Sequence, residues 1–138
     1  MRALLSLALF ALAGCGGANS DAAGRVPTSG TATFRTRPAA GAVLLFHTGH
    51  AADAAPARAR VNPDGTFAVS APDGAAGVAA GTYRVTVEWR EGTGENGDAT
   101  GKSRVAEKYL NAAKTPLRAE VRPGPGGACA LPPFDLSK

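Results

Sequence analysis

The sequence predicts an all-β fold class, namely an antiparallel β-sandwich of about seven strands. Three observations support this prediction. Several short runs alternate apolar and polar side chains with a period of two, which is the pattern of half-buried strands. Gly, Pro, Asp and Asn cluster between these runs, where tight turns need them. No stretch carries the apolar stripe of a long amphipathic helix.

Length and composition indicate one folded domain with a thin core. The chain has 138 residues, and single domains usually have about 100–200. Thirty residues are alanine and none is isoleucine, so little large apolar surface is available for burial. The formal net charge of +4 excludes a highly charged disordered chain. No run of Lys or Arg is present that could follow a phosphate backbone, so we expect no nucleic-acid partner.

The N-terminal segment has the features of an export signal. Met1-Arg2 is followed by an apolar run over residues 3–13, which is too short to span a bilayer, since spanning takes about 20 residues. The run ends in Leu12-Ala13-Gly14-Cys15, which resembles the lipobox of bacterial lipoproteins. The resemblance implies that residues 1–14 are a cleaved signal peptide and that the Cys15 thiol carries a diacylglyceryl group. Further fatty-acyl chains of the palmitate type make such anchoring stable. The alternatives are an ordinary signal peptide and a buried helix with a chance cysteine.

The residues after Cys15 predict a tether and a location. Residues 15–25 contain mainly Gly, Ala, Asn, Ser and Asp, the composition of a flexible linker. Gly16 stands where many lipoproteins of the inner membrane have aspartate, and this favours the outer membrane. We therefore expect a lipid-anchored protein of the bacterial cell envelope, held in the outer membrane and facing the periplasm, with residues 26–138 as its folded domain.

Seven runs carry the strand predictions. The clearest is 83–89, where Val85 and Val87 are expected to face the core and Thr86 to face solvent. The run 43–46 is apolar on both faces, which indicates a central strand. In chain order the predicted strands cover residues 31–34, 43–46, 57–61, 66–70, 83–89, 117–122 and 134–136.

Turn signals separate these runs. Asn62-Pro63-Asp64-Gly65 and Pro72-Asp73-Gly74 each contain the Asp-Gly pair that favours tight turns. Residues 90–104 include no large apolar side chain, so we expect a mobile loop at one end of the sandwich. Residues 75–80 are predicted to form a brief helical turn.

Four motifs, in chain order, carry a resemblance to a known family: GTAT at 30–33, AGAV at 40–43, NPDGTF at 62–67 and AGTYRVTV at 80–87. They resemble the carboxypeptidase regulatory-like domain, a prealbumin (transthyretin-like) β-sandwich. Segments between residues 108 and 136 are similar to its small bacterial lipoprotein branch. The chain departs from the family pattern in the Gly-rich loop 91–101 and at Arg35-Thr36-Arg37-Pro38. The resemblance covers roughly residues 26–138 and implies a fold rather than an activity.

A single histidine cluster is the candidate metal site. His47 and His50, with Asp53, carry ligand types that zinc uses. The alternative, which we favour, is a strand end that continues into a polar loop, so we expect no bound metal and no cofactor. If Cys15 carries lipid, Cys129 has no disulfide partner, and we expect it to pack as a small residue beside the last strand.

No motif for catalysis is present. The chain lacks a G-x-S-x-G elbow. The hydroxyisourate hydrolases, which share a related fold, end in Tyr-Arg-Gly-Ser, whereas this chain ends in Phe134-Asp135-Leu136-Ser137-Lys138. We therefore predict a non-enzymatic, lipid-anchored envelope protein with a structural or protein-interaction role. The alternative is a module that binds glycan or metal, with Trp89 and Tyr109 as aromatic candidates and the turn carboxylates Asp64 and Asp73 as calcium candidates.

Overall fold

The computed structural model of the protein describes residues 24–48, 56–93 and 99–138. Within these ranges the chain forms thirteen β-strands and two 3-10 helices, and it contains no α-helix. Cys15, His50 and Asp53 lie outside the described residues. The elements are β1 (Arg25–Val26), β2 (Thr28–Phe34), β3 (Arg37–Pro38), β4 (Val43–Thr48), β5 (Ala57–Arg60), β6 (Thr66–Ala68), β7 (Val78–Ala79), β8 (Gly81–Glu88), β9 (Arg90–Thr93), β10 (Ala99–Ser103), 3-10 helix η1 (Glu107–Leu110), β11 (Arg118–Val121), 3-10 helix η2 (Pro125–Gly127), β12 (Cys129–Ala130) and β13 (Phe134–Asp135).

One sheet has four antiparallel strands in the order β11-β8-β4-β5. Leu45 pairs with Arg58 on one side and with Thr86 on the other, which fixes the register of the three strands. The predicted central position of the apolar run at 43–46 is therefore confirmed. The predicted strand at 83–89 is also confirmed, although β8 ends at Glu88.

The second sheet is built around β2. Strands β3 and β6 pair antiparallel with β2, whereas β12 and β13 pair parallel with it. The N–H groups of Leu131 and Leu136 donate to the carbonyl oxygens of Ser29 and Thr33, each over 2.8 Å. The two sheets also meet at an isolated bridge between Arg58 and Ser70. The coarse prediction of an all-β fold with antiparallel sheets is confirmed. The parallel pairing of β12 and β13 with β2 was not predicted.

The core lies between the sheets and is organised by aromatic rings. Phe67 and Phe134 stack with their centroids 5.9 Å apart and their planes 11° apart. Phe46 lies 6.3 Å from Phe67 and 6.3 Å from Tyr83, so one aromatic cluster links the two sheets. Gly30 faces this cluster, and a Cβ there would lie 2.7 Å from Phe67 Cζ, so no larger residue fits without a shift.

Two loop predictions are wrong. Residues 90–93 and 99–103 form the antiparallel hairpin β9–β10 rather than an irregular loop. Main-chain hydrogen bonds between strands do not require large apolar side chains. The scarcity of such side chains in this segment was therefore not a sign of a loop. Residues 75–80 form no helical turn, because Val78–Ala79 pairs as β7 with β1. The turn at 62–65 is confirmed, with Gly65 at φ +90° and its N–H donating to the Asn62 carbonyl.

The predicted exposure of Thr86 is also wrong. Its side chain does lie on the opposite face of β8 from Val85, as alternation requires, but the residue is only 5% exposed. The His47 imidazole covers it from β4, with Nε2 2.8 Å from the Thr86 hydroxyl oxygen. Neighbouring side chains therefore bury this outward-facing position.

The described chain enters the sandwich at one end, which we call the entry end. Gly24 precedes β1, and β1 pairs with β7 immediately before β8 begins at Gly81. Strand β8 then runs the length of the sheet to Trp89, roughly 25 Å away at about 3.3 Å per residue. Trp89 and the hairpin β9–β10 therefore lie at the opposite end, which we call the Trp89 end.

Candidate functional site: an arginine-rich sheet face and an adjoining cavity

The outer face of the four-stranded sheet carries four arginines from three strands. Ala57 and Ala59 of β5, and Ala119 of β11, point into the core, so the residues between them point outward. The same alternation in β8 turns its arginine outward. We call the four exposed residues the arginine face; they are Arg58, Arg60, Arg84 and Arg118.

The four residues of the arginine face form no salt bridge within the described residues, although Glu88 and Glu120 lie on the same face. None of the four has a carboxylate oxygen within 4.0 Å in the ranges that the structure covers. Arg84 and Arg118 lie directly opposite each other in neighbouring strands. Like charges in such pairs destabilise a sheet, by up to about 1 kcal/mol. A surface arranged this way favours an anionic binding partner.

Main-chain acceptors orient the two paired arginines. Arg118 Nη1 donates to the Thr115 carbonyl oxygen over 2.6 Å. Arg84 Nη1 donates to the Ala112 carbonyl oxygen over 3.4 Å, a long hydrogen bond. These contacts hold the side chains in place and leave their charge uncompensated.

His47, the candidate metal ligand, lies in the same row of the sheet as Arg84 and Arg118. It is half-buried, and its Nε2 is engaged with the Thr86 hydroxyl. Desolvation lowers the pKa of His47 below its usual value, so the imidazole is neutral at pH 7. His50 and Asp53 lie outside the described residues, and within those residues no three His, Cys, Asp or Glu side chains group as a metal site would require.

A cavity of about 300 Å³ lies where the arginine face reaches the Trp89 end. Three arginines from three strand regions line it: Arg60, Arg90 and Arg104. Trp89 forms another part of its wall, and Glu88 and Glu91 contribute two carboxylates. We call it the Trp89 cavity.

A stack of cations and rings stiffens one wall of the Trp89 cavity. The Arg104 guanidinium carbon lies 5.1 Å from the centroid of the Trp89 ring. Trp89 in turn meets Phe34 edge-on, with centroids 5.5 Å apart, and the Arg35 guanidinium lies 5.2 Å from the Phe34 ring. Such cation–π contacts contribute about 0.5–1 kcal/mol each at exposed sites.

Hydrogen bonds fix the hairpin that frames the cavity. Arg90 Nη1 donates to the Gly101 carbonyl oxygen over 2.9 Å, across β9 and β10. Arg104 Nη2 lies 3.5 Å from the Glu91 carbonyl oxygen, at the limit for a hydrogen bond. The N–H of Arg104 also donates to the Trp89 carbonyl over 2.7 Å. Trp89 and Arg104 are thus joined through both main chain and side chain.

A second cavity, of about 320 Å³, opens at the entry end. Its wall is mainly apolar and includes Phe46, Pro56, Val78 and Tyr83. It lies next to Thr48 and Pro56, the residues that flank positions 49–55.

The other residues considered as ligand or calcium sites have structural roles. Tyr109 is 1% exposed and its hydroxyl donates to the main-chain oxygen of Lys138, so it offers no aromatic platform. Asp64 accepts hydrogen bonds from the Thr66 N–H and hydroxyl, and these lower the pKa of the Asp64 carboxyl. Asp73 likewise accepts from the Ala75 N–H. Both carboxylates therefore stabilise turns.

Cys129 is buried in β12, where it pairs with Thr28 of β2. Its thiol lies 3.7 Å from the Glu120 carbonyl oxygen, and no disulfide is formed. The position is that of a small core residue between the edges of the two sheets.

Sequence reasoning missed the arginine face and the Trp89 cavity. The available signal was arginine at alternate positions of three predicted strands, in the segments 57–61, 83–89 and 117–122. Strand alternation shows that each arginine points outward, but only the pairing order β11-β8-β4-β5 places them on one surface.

No family model, curated protein or solved structure matches this chain. Across the described ranges, no helix is both long enough and apolar enough to cross a membrane.

Proposed function

We propose that the protein is a non-enzymatic, lipid-anchored module of the bacterial cell envelope, in the outer membrane and facing the periplasm. In this proposal its β-sandwich, of the carboxypeptidase regulatory-like type, has a structural or protein-interaction role. The observation that carries the proposal is the opposite placement of two features. The chain enters at one end, and the Trp89 cavity lies at the other. An anchor at Cys15 would therefore join the domain at the end opposite the Trp89 cavity and leave that cavity accessible to a partner.

The charge distribution supports an interaction role. The arginine face exposes four guanidinium groups without carboxylate partners in the described part of the chain. Complementary charge increases the rate and specificity of association. An acidic surface on another envelope protein would supply the missing counter-charges.

The geometry around His47 argues against nucleophilic catalysis there. A histidine next to a hydroxyl resembles a base next to a nucleophile. However, the Thr86 hydroxyl is buried and already engaged with the imidazole, so it is not presented to solvent as a nucleophile would be. The pair is better explained as the cover of an outward-facing strand position.

The anchor is tested by labelling cells with a fatty acid. Cys15→Ser is expected to abolish incorporation of the label and to leave residues 1–14 uncleaved by the lipoprotein pathway. Cys129→Ser is the matched control, because it removes the other cysteine, which is buried in β12, and it should retain the label. Label in the Cys15→Ser protein would refute the lipid anchor.

A second candidate function, glycan binding, is favoured by one observation. Trp89 is half-buried in the wall of the Trp89 cavity, together with arginines and glutamates. Aromatic side chains combined with a few polar groups are characteristic of small-ligand sites.

A further inference from the structure

We infer that the Trp89 cavity binds an acidic saccharide, whose carboxylate is held by Arg60, Arg90 and Arg104. This inference rests on the second candidate function above and names its ligand class. It uses the cavity at the corner of the sandwich, and it does not depend on the lipid anchor.

The three arginines supply the recognition of negative charge. They converge on one cavity from β5, β9 and the segment after β10, and none has a carboxylate within 4.0 Å among the residues described. Guanidinium groups bind carboxylates through paired N–H donors in a planar fork. The hydrogen bonds of Arg90 and Arg104 to main-chain oxygens occupy part of their donor capacity and fix their positions. Arg60 makes no such hydrogen bond, so its donors remain available to a ligand.

The two glutamates favour an acidic sugar over a ligand whose side chains carry only carboxylates. Glu88 and Glu91 line the same cavity, and both are exposed. A carboxylate accepts hydrogen bonds from hydroxyl groups, which a saccharide has in abundance. A polyglutamate peptide has no hydroxyl groups to donate to Glu88 and Glu91, and its carboxylates repel theirs. The mixture of three cations and two anions thus matches a ligand that carries both carboxylates and hydroxyl groups.

The volume and the wall of the cavity fit the same class. About 300 Å³ lies at the lower limit of the usual range for small-ligand sites, about 300–1,000 Å³. Trp89 lines the cavity as a half-buried residue, and its ring contacts the Arg104 guanidinium and Phe34. These contacts hold Arg104, one of the three cationic residues of the site, in a fixed position beside the cavity. Little ordering is therefore required on binding, which reduces its entropic cost.

The chain provides its own probe for this site. Trp89 is the only tryptophan of the protein, so intrinsic tryptophan fluorescence reports on this residue and on the Arg104 guanidinium that contacts its ring. The purified full chain in detergent would be titrated with trigalacturonate, which carries a carboxylate on each sugar. Its fully methyl-esterified form is the matched neutral ligand, and a hexaglutamate peptide is the matched acidic ligand without sugar.

We expect trigalacturonate to change the Trp89 emission saturably, and the methyl ester to bind at least tenfold more weakly. Raising the salt concentration should also weaken binding, because the contacts are ionic and exposed. Arg60→Gln is expected to reduce affinity at least tenfold. Arg58→Gln is the control, since Arg58 lies two positions away on the same strand and face but outside the Trp89 cavity, and it should stay within twofold of the unaltered chain.

Four results would overturn the inference: no saturable change with trigalacturonate, no loss in Arg60→Gln, an equal loss in Arg58→Gln, or hexaglutamate binding as tightly as the sugar. The last would identify an acidic peptide as the preferred partner.

Two controls accompany these measurements. Near-ultraviolet circular dichroism confirms that each variant is folded, and Arg60→Lys, which retains the charge, should lose less affinity than Arg60→Gln. Fatty-acid labelling of Cys15 is independent of this site, so failure of the anchor and failure of the ligand are distinguishable.

Discussion

Adjacent residues on the two faces of β8 are buried to nearly the same extent, but different kinds of neighbour bury them. On the inner face, Val85 and Val87 are 0% exposed and pack among apolar side chains of the core. On the outer face, Thr86 is 5% exposed, although it lies on the same side as Arg84 and Glu88. Alternation determines the direction of a side chain, whereas its neighbours determine its burial. The neighbours of Thr86 on β4 are His47, which contacts its hydroxyl, and Leu45, its cross-strand partner.

The comparison predicts different tolerance to charge at adjacent positions. Val85→Asp would bury a carboxylate without a partner, which costs several kcal/mol, against a typical total stability of about 5–15 kcal/mol. We expect loss of cooperative unfolding in a denaturant titration followed by circular dichroism. Thr86→Asp places the same charge beside the His47 imidazole and should unfold cooperatively at a lower denaturant midpoint. Equal loss of structure in the two variants would show that the faces are not distinct.

A smaller effect is expected when only the hydroxyl of Thr86 is removed. Thr86→Val preserves the shape but leaves His47 Nε2 without its partner, at an expected cost of about 1 kcal/mol in the free energy of unfolding. Thr82→Val, at an exposed position on the same face, should change it by less than about 0.5 kcal/mol. A double-mutant cycle with His47→Leu isolates the hydrogen bond. If the two threonine variants behaved alike, the outer-face contact would not contribute to stability.

The smallest expected effect is a dependence of stability on pH below about 6.5, the usual pKa of a histidine. Desolvation lowers the pKa of His47 from 6.5 in the folded state, so on acidification the unfolded chain binds a proton first. Stability should therefore fall as the pH decreases from about 6.5. The carboxyl pKa values of Asp64, Asp73 and Asp135 are lowered from 3.8, so their contribution to stability is lost only at more acidic pH.

The thermal midpoint measured as a function of pH tests this prediction. His47→Gln should flatten the dependence of the midpoint on pH, whereas His50→Gln should preserve it. The opposite result would assign the pH dependence to His50.

The inner architecture was predictable because each inward residue depends on a local pattern. Alternation in the run 83–89 correctly placed Val85 and Val87 in the core. The Asp-Gly turns were also predictable, since Gly65 and Gly74 adopt the positive φ that glycine permits. Such features require only a few consecutive residues.

The candidate site was not predictable, because it depends on pairing between distant segments. Arg60, Arg90 and Arg104 lie 30 and 14 residues apart and share no motif. The hairpin that carries two of them has little apolar character, and its backbone pairing leaves no strong sequence signal. The turn before β3 shows the same limit, since Arg35 and Thr36 both adopt positive φ, of 50° and 65°, without a glycine.

The parallel pairing of β2 with the end of the chain has a consequence for the order of folding. The Thr33 hydroxyl and the Phe134 carbonyl, which lie 3.5 Å apart, are 101 residues apart in sequence. In the exported protein that we propose, strand β2 therefore cannot complete its pairing until residues 129–136 have also left the export machinery. Until then the carbonyls of Ser29 and Thr33 lack their partners, and an unpaired strand is a template for aggregation. Chains shortened before Cys129 would remain in that state, so the last strands complete the sandwich and also protect it from self-association.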